Sequence, residues 1–195
     1  MTTARFDHPT LLGTLWPASG ETRWLRAALV VVLGSVLLTL TAHVKVPFWP
    51  VPMTMQTFAV LVIGMACGAR LGVATVLVYL MQGAMGMPVF AGGAGLAYIT
   101  GPTGGYLLGF VLAAGLTGWL AERGFDRSPV RTVIAMLLGD ALILTLGVAW
   151  LATLIGLQKA VAAGLVPFLA AEGFKIALAA IVLPGAWKLL RRAPR

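Results

Sequence analysis

Long apolar runs alternate with short polar or irregular interruptions along the whole 195-residue chain. Six runs, near 24–43, 53–69, 73–85, 104–120, 132–155 and 167–189, read as membrane helices, which need about 20 mostly apolar residues each. The second and third are short and are joined through a tight turn at Arg70 and Gly72. Between the third and fourth lies Gly83 to Tyr106, which is apolar but cannot be one regular helix. Its glycines, with Pro88 and Pro102, interrupt the i to i−4 hydrogen bonds a membrane helix needs. Such backbone survives at membrane depth only where protein or a wet cavity satisfies its polar groups. The pattern therefore predicts that 86–103 lines a ligand site. Residues 44–52 hold Pro47, Pro50 and Pro52, which forbid a helix there. Residues 1–23 read as a flexible or surface-lying tail, 121–131 as a charged loop and 156–166 as a short loop with Lys159. The predicted fold is an all-α integral membrane protein: a tail over 1–23, then a compact bundle of six transmembrane helices over 24–195.

Composition supports the membrane assignment. The chain is 59% hydrophobic and 10% charged, with a mean hydropathy of +0.96; a soluble domain carries about 25% charged residues. The net charge of +8 reads as cytoplasmic loop charge, not as a nucleic-acid footprint. With the N-terminus inside, eleven of the fourteen Lys and Arg fall on inner segments. Only Lys45 and Lys159 fall on outer loops, and Lys175 lies within the last span. That asymmetry predicts both termini in the cytoplasm and both irregular loops, 44–52 and 86–103, on the outer side with the ligand site. The first apolar run is long enough to span and lacks a small-residue cleavage site, so no cleavable signal peptide is expected. The one cysteine, Cys67, excludes an internal disulfide and sits in an apolar run as a packed residue.

Charge at membrane depth narrows the candidate chemistry. Asp140, Glu172 and Lys175 are costly there, at least about 2.5 kcal/mol each near the bilayer centre. Glu172 and Lys175 are three residues apart, share a helical face and can pair. The pair either fixes packing alone, or offers an ammonium to a substrate carboxylate with Glu172 orienting it. Asp140 is read first as structural and second as a ligand. Phe48, Trp49, Phe90, Tyr98 and Tyr106 lie in or beside the outer loops. They form either an interfacial aromatic belt, the reading preferred for Trp49, or flat walls for a small apolar ligand. Thr54, Gln56 and Thr57 open the second span and can fix such a ligand; Gln56 carries both donor and acceptor, as a cyclic urea or amide requires. Thr54 equally suits a helix cap. Gly95, through its backbone, and Thr103 complete the candidate set. There is no Walker A loop, Gly-x-Ser-x-Gly or His-Glu-x-x-His, and the two histidines have no partners for a metal or triad. No enzyme, metal or cofactor is expected.

Three ordered motifs carry a family resemblance. They are Pro-Val-Pro-Met-Thr-Met-Gln-Thr-Phe at 50–58, Tyr-Leu-Met-Gln-Gly-Ala-Met-Gly-Met-Pro-Val-Phe-Ala at 79–91 and Gly-Pro-Thr-Gly-Gly-Tyr-Leu-Leu-Gly-Phe at 101–110. With Gly147-Val-Ala-Trp150 they resemble the BioY family, the biotin-specific S-components of energy-coupling factor transporters. The family's sixth span opens on a Gly-Asp-x-x-Lys-like pattern whose Asp and Lys help bind biotin. Here the matching residues are Glu172 and Lys175, the carboxylate one methylene longer. The resemblance implies biotin capture at the outer side of a plasma-membrane protein. It implies a partnership with a transmembrane T-component and a cytoplasmic ATPase pair (BioN/BioM-like) that drives uptake. It also implies a homo-oligomer where a member works alone, and small residues of span 1, among them Ala27, Ala28, Gly34 and Ser35, facing the T-component. Two alternatives stand beside it: a self-sufficient secondary transporter or channel with Asp140 or Glu172 relaying protons, and an S-component for another vitamin.

Overall fold

A computed structural model describes residues 9–17, 20, 22–47 and 49–192; Phe48 and residues 1–8, 18, 19 and 21 of the tail lie outside them. Each predicted apolar run falls on a helix. These are α2 (Thr22–His43), α3 (Gln56–Cys67), α4 (Ala69–Ala84), α6 (Gly104–Ala121), α7 (Pro129–Ile155) and α9 (Val166–Arg192). The short helices α1 (Leu11–Leu15), α5 (Leu96–Ile99) and α8 (Leu157–Gly164) lie between them. The segments Thr22–His43, Gly104–Ala121, Pro129–Ile155 and Leu157–Leu190 are long and apolar enough to cross a membrane. The helices α3 and α4 have 12 and 16 residues and rise only about 18 and 24 Å. The fold is thus mostly helical, with several helices able to span a bilayer.

The helix α6 is the central element, packed on α7, α3 and α4. Of its most apolar window 61% is buried, against 17% for α2, which sits at the periphery on α4. Lipid offers no hydrophobic drive for helices to associate, so close packing of small residues has to hold them. Gly64 of α3 meets Ala114 of α6 so tightly that a Cβ there would lie 2.6 Å from the Ala114 carbonyl oxygen. Gly34 packs in the same manner on Thr75 of α4, and Ser35 beside it is fully buried. These two small residues of α2 therefore face the bundle, not a partner, while Ala28 is exposed.

Three local predictions are corrected. The turn between the second and third runs is Gly68 alone, in the left-handed region at φ 85°. Arg70 and Gly72 lie within α4. Glu122, at the end of α6, accepts from the Ala69 amide at 3.0 Å and caps the start of α4. The 156–166 loop is largely the helix α8, set off by Gly156 at φ 85°. The tail is not wholly loose: Thr10 caps α1, whose Leu11 is buried against the bundle, and Arg127 donates to the Pro9 carbonyl at 3.1 Å. The proline-rich loop 44–52 is closed by a small antiparallel ladder, with Lys45 opposite Thr54 and Val46 opposite Met53.

Candidate functional site

The two irregular loops converge over the ends of α3, α6, α7 and α9 and roof a small cavity. Val51, Pro52 and Thr54 line it from the proline-rich loop, and Ala91, Tyr98 and Thr103 from the glycine-rich one. Gln56 and Thr57 of α3, Tyr106, Leu107 and Phe110 of α6, Leu144 of α7, and Phe168 and Glu172 of α9 complete the wall. Its free volume is about 40 Å³, room for a few water molecules. The cavity is partly open, so a larger ligand would extend beyond it or widen it.

The roof is anchored by side chains around it, some of which also line the cavity. Phe90 is 2% exposed and seats on Gly83, where a Cβ would lie 2.0 Å from its ring. It stacks on Tyr98 at 4.9 Å and meets Tyr79 edge-on at 5.4 Å. The Gly95 amide donates to the Gly83 carbonyl at 2.7 Å, tying the far end of the loop to the same point of α4. Lys45 donates to the Ala91 carbonyl and joins the two loops. On the other side Trp150 donates to the Gly101 carbonyl at 2.9 Å. The Tyr106 hydroxyl donates to the Gly164 carbonyl at 2.7 Å, its ring lodged against Gly147. Phe90 and Gly95 thus hold the loop and do not line the cavity. Trp49 is 83% exposed, outside the site.

The polar floor is a buried network. The Lys175 ammonium donates to the Thr54 carbonyl (2.7 Å), to the Thr57 hydroxyl (2.8 Å) and to Glu172 Oε1 (2.7 Å). Its three protons are therefore all engaged. The Thr57 hydroxyl in turn donates to the Glu172 carboxylate, 2.9 Å from each oxygen. Glu172 reaches the cavity, while Lys175 stands behind it. Asp140 lies beside Glu172 and interacts electrostatically with both members of the pair. Asp140 is buried, and its Oδ1 has no hydrogen-bond partner among the described residues. Gln56 donates through Nε2 to the Tyr79 hydroxyl at 2.7 Å and, more weakly, to the Leu38 carbonyl at 3.4 Å. The Tyr79 hydroxyl in turn donates to the Val89 carbonyl at 3.0 Å. Thr54 accepts from the Gln56 amide at 3.2 Å and also supplies the cavity wall.

Of the sequence-predicted residues, Thr54, Gln56, Tyr98, Thr103, Tyr106 and Glu172 meet at the cavity and Lys175 touches it through Thr57 and Glu172. Tyr79, Leu107, Phe110, Leu144 and Phe168 were not singled out from sequence. A buried Tyr in an apolar run was the signal available for Tyr79; the others are ordinary apolar residues of helices. Among the described residues no group of three or more His, Cys, Asp or Glu converges to hold a metal.

The model of the BioY family matches residues 13–192. A probable biotin transporter BioY of Pyrococcus horikoshii is 38% identical over 154 residues, covering 78% of this chain and 91% of that protein. The biotin transporter BioY of Thermotoga maritima is 37% identical over 150 residues, covering 76% and 88%. The crystal structure of an S-component for biotin from an ECF-type ABC transporter superposes with a TM-score of 0.75 over 88% of this chain and 95% of that one, at 23% identity, and so shares the fold. The named relatives are transporters, which points away from an enzyme.

Proposed function

This chain belongs to the BioY family, and we propose that it is the high-affinity biotin-binding membrane component of an uptake transporter. The observation that carries the reading is the cavity itself. Aromatic and apolar walls (Tyr98, Tyr106, Phe110, Phe168) meet a fixed polar set (Thr54, Gln56, Glu172) beneath two irregular loops. Biotin has an apolar ring body, a ureido head and a carboxylate tail, and these groups match it. Lys175 meets the carboxylate by exchanging its bond to the Thr54 carbonyl, while Thr57 and Glu172 keep its remaining protons in place. Gly95 and Phe90 serve the site by holding the loop.

In this reading α2, α3, α4, α6, α7 and α9 form a six-span bundle in the plasma membrane, with residues 1–23 and the C-terminus in the cytoplasm and the cavity outward. The charge asymmetry of the loops supports that orientation. A transmembrane T-component and a cytoplasmic ATPase pair drive uptake. Ligand extraction from the purified protein followed by mass spectrometry tests the substrate: biotin is expected, and a different bound vitamin would overturn the assignment. A second reading, a self-sufficient secondary transporter, is favoured by one observation, the unpartnered Asp140 oxygen beside Glu172. Biotin uptake that persists without the ATPase pair and collapses with an uncoupler would select it.

A further inference from the structure

We propose that Tyr79, which does not line the cavity, sets the polarity of the Gln56 amide, so that the site presents a hydrogen-bond acceptor to an N–H-bearing end of its ligand. The inference rests on the biotin reading above and assigns the ureido N–H edge to Gln56 Oε1. The Val89 carbonyl is an acceptor only and lies in a buried residue at the start of the glycine-rich loop. It takes the single Tyr79 proton at 3.0 Å. The Tyr79 oxygen is then left as an acceptor, and 2.7 Å away it finds Gln56 Nε2. The Leu38 carbonyl, 3.4 Å from the same nitrogen, is a second acceptor on that side. Turning the amide over would set Gln56 Oε1 against the Leu38 carbonyl oxygen. It would also force Tyr79 to choose between Gln56 and Val89, leaving a buried group without its partner. Both faces of the chain therefore fix Nε2 toward α2 and α4. The polar atom Gln56 has left for the cavity it lines is Oε1, which accepts and cannot donate.

The relay also links recognition to the roof. Val89 sits next to Phe90, whose ring is seated between Gly83, Tyr79 and Tyr98. The loop in its seated position supplies the acceptor that makes Tyr79 an acceptor in turn. Tyr79 is thus a positioning residue, acting through Gln56.

The test measures binding of biotin and of biotin methylated on its ureido nitrogens to purified full-length protein in detergent, with melting temperature followed in parallel. Wild type is expected to bind the methylated compound at least ~10-fold more weakly, as a site built around one hydrogen bond does. Tyr79→Phe keeps the ring and removes the relay; its discrimination should fall to about threefold or less, chiefly through weaker biotin binding. Tyr79→Phe/Gln56→Glu restores an acceptor whichever way the side chain turns, and discrimination should return, which a purely structural role for Tyr79 would not produce. Discrimination left intact in Tyr79→Phe while wild type binds biotin would overturn the inference alone. Failure of wild type to bind biotin at all would overturn the biotin reading and this inference together. Should Tyr79→Phe fail to fold, Gln56→Met is read instead: unchanged discrimination there equally overturns the inference.

Discussion

Lys175 shows what a single buried charge demands of its surroundings. It is 5% exposed, and each of its three protons has an acceptor within 2.8 Å. A buried pair gives little net stability, but removing one partner strands the other, at about 3–5 kcal/mol. Lys175→Met should therefore lower the melting temperature sharply, because Glu172 is left beside Asp140 with no cation. Adding Glu172→Gln should recover part of that loss, since the stranded charge goes too. Thermal unfolding of the two variants checks this, and a double variant less stable than Lys175→Met would contradict it. For binding, Lys175→Ala should weaken tritiated-biotin retention more than Lys159→Ala, compared at equal folded protein. The spacing of Glu172 and Lys175 made their pairing legible in the sequence. The saturation of the ammonium by Thr54 and Thr57 was not, because it depends on how α3 meets α9.

At the scale of elements, the glycine-rich loop is seated on α4 by one ring and tied down by several of its carbonyls and amides. Phe90 occupies the space a side chain at Gly83 would need. Gly83→Ala should unseat the ring, loosen the Val89 and Gly95 attachments and weaken biotin binding by roughly 5- to 150-fold, since overpacking of this kind costs about 1–3 kcal/mol. Gly173→Ala in α9 is the control: a Cβ there meets nothing within 4 Å, so binding should not change. Equal binding by the two variants would show that the seat at Gly83 does not hold the loop for binding. The irregularity of 86–103 was readable from its glycines and prolines, and so was its place over a cavity-like site. Which of its residues face the cavity was not: Phe90 and Tyr98 are equally aromatic, and only the packing on α4 turns one inward as an anchor and leaves the other as a wall. The turn at Gly68 was missed for a related reason. A single left-handed glycine ends one helix and starts the next without any polar run to mark it. The helix α8 was missed because eight residues between two long apolar helices carry too little periodicity to separate from a loop.

For the whole molecule, the asymmetry of the bundle bears on which end would meet a ligand. The roofed cavity and the Lys45 and Lys159 segments share one end. The opposite end holds the Gly68 turn, the docked segment 9–15, and a compact knot in which Trp187 donates to the buried Asp126 at 2.5 Å under the Arg127 guanidinium. Cations cluster at that second end, and retention of basic loops in the cytoplasm predicts that the cavity end faces outward. Cysteine labelling reads this directly. In a Cys67→Ala background, Lys159→Cys should react with a membrane-impermeant thiol reagent added to intact cells. Arg123→Cys, exposed at the other end, should react only after permeabilisation. The opposite pattern would place the cavity toward the cytoplasm. Biotin capture from outside would then be untenable even with every contact in the site unchanged, because the loops that line the cavity would face the wrong compartment.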